Sequence, residues 1–114
     1  MGAGEIMRAG KKFKKSITMA INHPDRIFRF KYAFPLQNVL TQKTTRVWGH
    51  SQVKDGKLIV SFTLKGETIF TDSRPVNRFS KHPVIRNRFV ERWWREIVPA
   101  VSRQLGGLKQ EMSS

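Results

Sequence analysis

The stretch Val53–Gly66 reads "VKDGKLIVSFTLKG", and the fold follows from how it is read. Asp55-Gly56 suits a type I′ turn, in which both central residues take positive φ. The pair stands between Val53 and Leu58, so a hairpin is expected there. Past the turn, Leu58, Val60, Phe62 and Leu64 alternate with Ile59, Ser61 and Thr63. That two-residue period belongs to a strand with one buried face. Lys65-Gly66 suggests a second tight turn, leading into a short strand over Thr68–Thr71. Upstream, Thr44–Val53 is the first arm of the hairpin. The three strands form an antiparallel meander.

Further out lies Arg26–Phe34, where Phe28, Phe30, Tyr32 and Phe34 alternate with Arg29, Lys31 and Ala33. One face of this strand is aromatic and the other basic. Pro35 ends it, and Phe34–Thr41 is expected to bend. Joined to the meander, it makes a small antiparallel sheet of about four strands.

The two ends of the chain carry a helical period. Over Glu5–Ile21, apolar Ile6, Ala9, Phe13, Ile17 and Ile21 fall on one face, after a frayed Met1–Gly4. Asn22 and His23-Pro24 stop that helix, since the residue before proline leaves the helical region. Asp72–Pro83 reads as a connection. Pro83 fits the first turn of a second helix, with Ser80 or His82 as cap. There Ile85, Phe89, Trp93, Ile97, Val101 and Leu105 repeat every four residues, widened by Val90, Trp94 and Val98. Gly106-Gly107 is expected to end the helix, and Pro99 to kink it. The expected fold is α+β, one domain over residues 1–114: an N-terminal helix, the sheet, and a long kinked C-terminal helix packed on the sheet. Phe30, Phe62, Phe89 and Trp93 are expected to meet between sheet and last helix.

Charge dominates the composition, with 22 Lys+Arg against 8 Asp+Glu and a net +14. A chain this basic meets something acidic or tolerates self-repulsion. Residues 8–31 hold Arg8, Lys11, Lys12, Lys14, Lys15, Arg26, Arg29 and Lys31 against Asp25 alone. Residues 74–103 hold Arg74, Arg78, Lys81, Arg86, Arg88, Arg92, Arg95 and Arg103 against Glu91 and Glu96. "KKFKK" at 11–15 sets four ammonium groups around one Phe. Lys11, Lys12, Lys14, Lys15, Arg29 and Lys31 are therefore candidate contacts to nucleic acid or an acidic partner. The simpler reading of the lysines is a solvated helix face, and of the alternating aromatics a small core.

Catalytic chemistry is sparse. His23, His50 and His82 are scattered and form no spaced ligand pair, and cysteine is absent. There is no Gly-x-Ser-x-Gly elbow, no phosphate-cradling glycine loop, and no RNP1 spacing. No enzyme activity and no cofactor are expected. No apolar run approaches the roughly 18 residues of a membrane span. The basic N-terminal run has no apolar stretch after it that would make a signal peptide.

Three segments carry a family resemblance. "FPLQNVLTQKTTRVW" (Phe34–Trp48) resembles a Pro-Leu…Gln-Thr…Val segment leading into a strand. "SRPVNRFSKHP" (Ser73–Pro83) resembles an apolar-Pro-apolar triplet followed by a proline before the last helix. The Arg/Glu-rich Val84–Leu105 resembles a closing helix. Together, over residues 34–105, they resemble the minor tail protein Z and tail-completion proteins of long-tailed bacteriophages. The resemblance implies a structural subunit of the virion, acting at a tail end or head–tail junction by ring-like assembly. Its partners would be other tail or neck proteins and further copies of itself, with DNA a possible contact. Arg88, Arg92 and Arg95, with Val101, Leu105 and Leu108, would then form a subunit interface, aimed by the kink at Pro99. The alternatives are a small cytoplasmic nucleic-acid-binding protein, or an inhibitor or adaptor for an acidic protein.

Overall fold

The computed structural model describes residues 2–35, 44–79 and 82–113. Helix α1 (Gly2–Asn22) leads into strands β1 (Phe28–Pro35), β2 (Thr44–Lys54), β3 (Lys57–Leu64) and β4 (Glu67–Pro75). A 3-10 turn (Val76–Arg78) and helix α2 (Pro83–Ser113) complete the chain. The strands lie in the order β1-β2-β3-β4, each antiparallel to the next. The α+β arrangement is the one expected.

Both tight turns form as read. Asp55 (φ 53°) and Gly56 (φ 73°) turn β2 into β3, and Lys65 (φ 51°) with Gly66 (φ 84°) turn β3 into β4. Glycine meets the second positive φ of each turn without steric cost. Strand β4 runs four residues beyond the expected Thr71. Its register continues to Lys57↔Pro75, and the Val76 N–H then donates to the Gly56 carbonyl at 2.9 Å. The polar "TDSRP" end stays in the strand because its inward side chains find partners on α2. The register also slips between Phe62 and Thr63, where Phe70 and Thr68 are the paired residues and Ile69 is the extra one.

Both helices cover the same face of the sheet. Phe30 and Phe34 from β1, Val47 from β2, and Leu58, Val60 and Phe62 from β3 join Phe13, Ile17 and Ala20 of α1 in one buried cluster. Phe79, just after the 3-10 turn, and Val90, Trp93, Trp94, Ile97, Val101 and Leu105 of α2 complete it. The core is largely aromatic. Trp94 stands at its centre, with ring centroids 5.0 Å from Phe13, 5.3 Å from Tyr32 and 5.8 Å from Phe34. Gly49 pairs with Phe30, and a Cβ at that position would lie 2.4 Å from the Phe30 ring. The glycine leaves room for the tip of the Phe30 ring over β2.

Three expectations about α2 are corrected. Phe89 does not join Phe30 and Phe62. It keeps 39% of its surface exposed and touches Phe79, while Trp94 takes the central place. A four-residue repeat advances about 40° per step on a helix of 100° per residue, so Ile85 and Phe89 rotate off the stripe centred on Trp93, Trp94 and Ile97. Gly106-Gly107 does not end the helix, which continues to Ser113. Gly106 takes no left-handed φ, the conformation a glycine stop requires. Val101 and Leu105, expected in a subunit interface, are 0% and 2% exposed inside the chain's own core.

Pro99 lies within α2 on its exposed side. There water can take the Arg95 carbonyl that Pro99 cannot bond. At the start of α2 the Arg86 N–H donates to the His82 carbonyl at 3.0 Å, which places His82 at the cap. Ser80 lies outside the described residues, as does most of the expected Phe34–Thr41 bend.

Candidate nucleic-acid interface

The helices leave the other face of the sheet open. Because antiparallel Cα partners share a face, the register fixes which side chains stand there. Phe30 and Gly49 are buried, so their neighbours Arg29, Lys31, His50 and Trp48 point outward. The same alternation places Arg46 and Lys54 of β2 on that face. It adds Lys57, Ile59, Ser61 and Thr63 of β3, and Thr71 and Ser73 of β4. Among the described residues, no Asp or Glu stands on this face.

Its charge is laid out in halves. Arg29 and Lys31 of β1 and Arg46 of β2 surround Trp48, whose indole is 44% exposed. Lys31 Nζ sits 4.6 Å from the Trp48 ring centroid, a cation–π contact. Across the sheet, Trp48 pairs with Thr63 and His50 with Ser61, so β3 and β4 present hydroxyls. His50 Nε2 and Thr63 Oγ1 share a hydrogen bond at 3.1 Å, and Thr71 Oγ1 donates to Ser61 Oγ at 3.3 Å. Burial, followed by the charge of Arg29, lowers the pKa of His50 below its usual 6.5. His50 is therefore mostly neutral at pH 7.

The lysines of "KKFKK" divide by helical angle. Phe13 points into the core, so Lys12 and Lys14 flank it on opposite sides. Lys12 Nζ donates to the Lys31 carbonyl at 3.4 Å, along the edge of β1. Lys14 instead forms an ion pair with Glu91, which joins α1 to α2 and lowers the Glu91 pKa. Lys11 and Lys15 are exposed. The structure thus connects Lys12, Lys31 and Arg29 along one sheet edge and assigns Lys14 to a helix–helix contact.

On α2, Arg88, Arg92 and Arg95 are exposed. Arg92 lines a cavity of about 420 Å³ with Arg74, Arg78, Phe79 and Phe89. Arg74 is engaged there. It donates to Asp72 at 2.9 Å and to Glu96 at 3.0 Å, and lies 5.4 Å from the Trp93 ring centroid. The Trp93 indole N–H donates to Asp72 Oδ2 at 2.8 Å. Beside the cavity, Val84 (56%) and Ile85 (44%) are exposed with Phe89. Leu108 lies outside the described side chains.

The sequence reading missed Arg46, Trp48 and His50. The signal was present: "RVWGHSQVK" alternates Arg46, Trp48, His50, Gln52 and Lys54 with Val47, Gly49, Ser51 and Val53. No helix among the described residues is long and apolar enough to cross a membrane. Comparison with protein-family models, with curated proteins and with solved structures found no match.

Proposed function

We propose that the chain binds nucleic acid through the open face of its sheet. The observation that carries this reading is a surface without Asp or Glu among the described residues, on which Arg29, Lys31 and Arg46 surround an exposed tryptophan and Lys54 and Lys57 add charge at the far hairpin end. Phosphate contacts release condensed counterions, so affinity must fall steeply with salt. Anisotropy titration of a labelled oligonucleotide over a salt series tests it. Replacing Arg29 and Arg46 together by Gln should lower the log–log slope by about 1.4 to 1.8, at roughly 0.7 to 0.9 per contact. Arg103→Gln, an exposed control on α2, should leave the slope alone. Equal slopes in all three proteins would reject the sheet face.

A second reading has its own support. Val84, Ile85 and Phe89 form an apolar strip on α2 that the chain does not cover. Together with the resemblance over residues 34–105, the strip supports a structural subunit of a phage tail, assembling with a neighbour over the first turns of α2. The interface is then moved from Val101 and Leu105 to this strip and Arg88, Arg92 and Arg95. Sedimentation is the test. A multimer that Val84→Ser with Ile85→Ser converts to monomer supports assembly, and a wild-type monomer at all concentrations opposes self-assembly.

A further inference from the structure

We propose that the ligand of the sheet face is a single-stranded polynucleotide, with a base stacked on Trp48 and its phosphates along β1. This rests on the nucleic-acid reading above and adds the form of the ligand and its orientation.

Width excludes the usual duplex mode. Four strands at about 4.8 Å spacing span roughly 14 Å before side chains are added, against a B-DNA major groove of about 12 Å. The groove takes a helix or a two-stranded ribbon, not this face. A duplex would also keep its bases stacked inside and leave Trp48 without a partner. Unstacking a base to reach the indole would cost it a few kcal/mol per step, whereas a single strand already offers free base faces.

The layout then orients the strand. Arg29 and Lys31 on β1, with Lys12 beside that edge, supply the cations. Ser61 and Thr63 on β3 supply hydroxyls that can donate to or accept from base edges. Trp48 on β2 stands between the two rows, each about 4.8 Å away. A nucleotide laid across the sheet meets cation, ring and hydroxyl in the order of phosphate, base face and base edge. Lys31 now rests on the Trp48 ring. Its exposed, flexible chain can move to the phosphate while the base replaces the ammonium on the indole.

The test uses the intact protein with labelled pyrimidine RNA and DNA single strands of about 12 nucleotides, a length such sheet sites cover, and a duplex of equal length. Single strands should bind more tightly than duplex at the same salt. Trp48→Leu should weaken the single strands about 5- to 150-fold, the usual worth of one stacked base, and leave duplex affinity unchanged. Trp48→Phe should recover most of the loss. An unchanged thermal midpoint in Trp48→Leu shows that the exposed site, not the fold, was altered. A preference for RNA would place the 2′-hydroxyl on the β1 side of Trp48, where this layout sets the sugar, and still support the proposal. If single strand and duplex bind alike and Trp48→Leu changes neither, the stacking proposal falls while the nucleic-acid reading survives. If no oligonucleotide binds, the nucleic-acid reading itself falls.

Discussion

Gly49 and Phe30 occupy one cross-strand pair, and neither can be changed alone. All three nearest ring atoms of Phe30 lie within 2.9 Å of where a Gly49 Cβ would stand. The ring is held in turn by Phe13, Phe62 and Trp94. Gly49→Val should therefore cost about 1–3 kcal/mol by overpacking, read from chemical denaturation. Trp94→Ala should cost about 3–5 kcal/mol. Phe89→Ala, at a half-open position, should cost distinctly less, and equal losses at the two sites would contradict the assignment of Trp94 as the centre. His50 predicts a pH effect. Its pKa in the fold lies below its ordinary 6.5, so the unfolded chain binds the proton more readily. Its contribution to stability is complete above about pH 6.5 and is lost as pH falls through the lowered value. His50→Gln should flatten that part of the stability–pH curve while leaving neutral-pH stability near wild type.

At the scale of elements, β4 and α2 are fastened by one carboxylate. Asp72 accepts from the Trp93 indole and from Arg74, and Arg74 reaches on to Glu96. Asp72→Ala leaves the Trp93 N–H unpaired in a partly buried site, at an expected cost of about 1–3 kcal/mol. Glu96→Ala removes only an exposed pair and should cost under about 1 kcal/mol. Similar losses from the two, measured by urea denaturation, would mean that the indole bond is not what fastens the helix. Pro99 lies on the open side of α2, and Val101 and Leu105 beyond it are core residues. Pro99→Ala restores a backbone hydrogen bond, and should raise the thermal midpoint without weakening oligonucleotide affinity.

For the whole molecule, the net +14 is not spread evenly. Asp72 and Glu96 are paired with Arg74, and Glu91 with Lys14, all on the helical side. The open sheet face keeps its cations without acidic partners among the described residues. On the nucleic-acid reading proposed above, that asymmetry would turn the sheet face toward the polyanion, and it makes self-association through this face electrostatically unfavourable. On the assembly reading, copies would meet through the exposed Val84, Ile85 and Phe89. Raising salt should accordingly weaken oligonucleotide binding while strengthening any contact through that apolar strip. Parallel titration and sedimentation over one salt series would separate the two surfaces.

The local pattern by itself determined the elements. Asp55-Gly56 and Lys65-Gly66 require turns because positive φ is cheap for glycine, and the alternation from Leu58 to Leu64 has only one strand face that can be buried. The aromatic and basic faces of β1 were legible for the same reason. Tertiary structure decided how the elements meet. Whether Phe89 or Trp94 fills the core depends on the rotation of α2 against the sheet, which a four-residue repeat leaves open by about 40° per step. The length of β4 depended on Trp93 and Glu96, more than twenty residues away, receiving Asp72 and Arg74. Trp48 reads as one more strand aromatic until both helices pack on the opposite face. Only that choice of side turns Arg29, Lys31, Arg46 and Trp48, on two strands, into one surface.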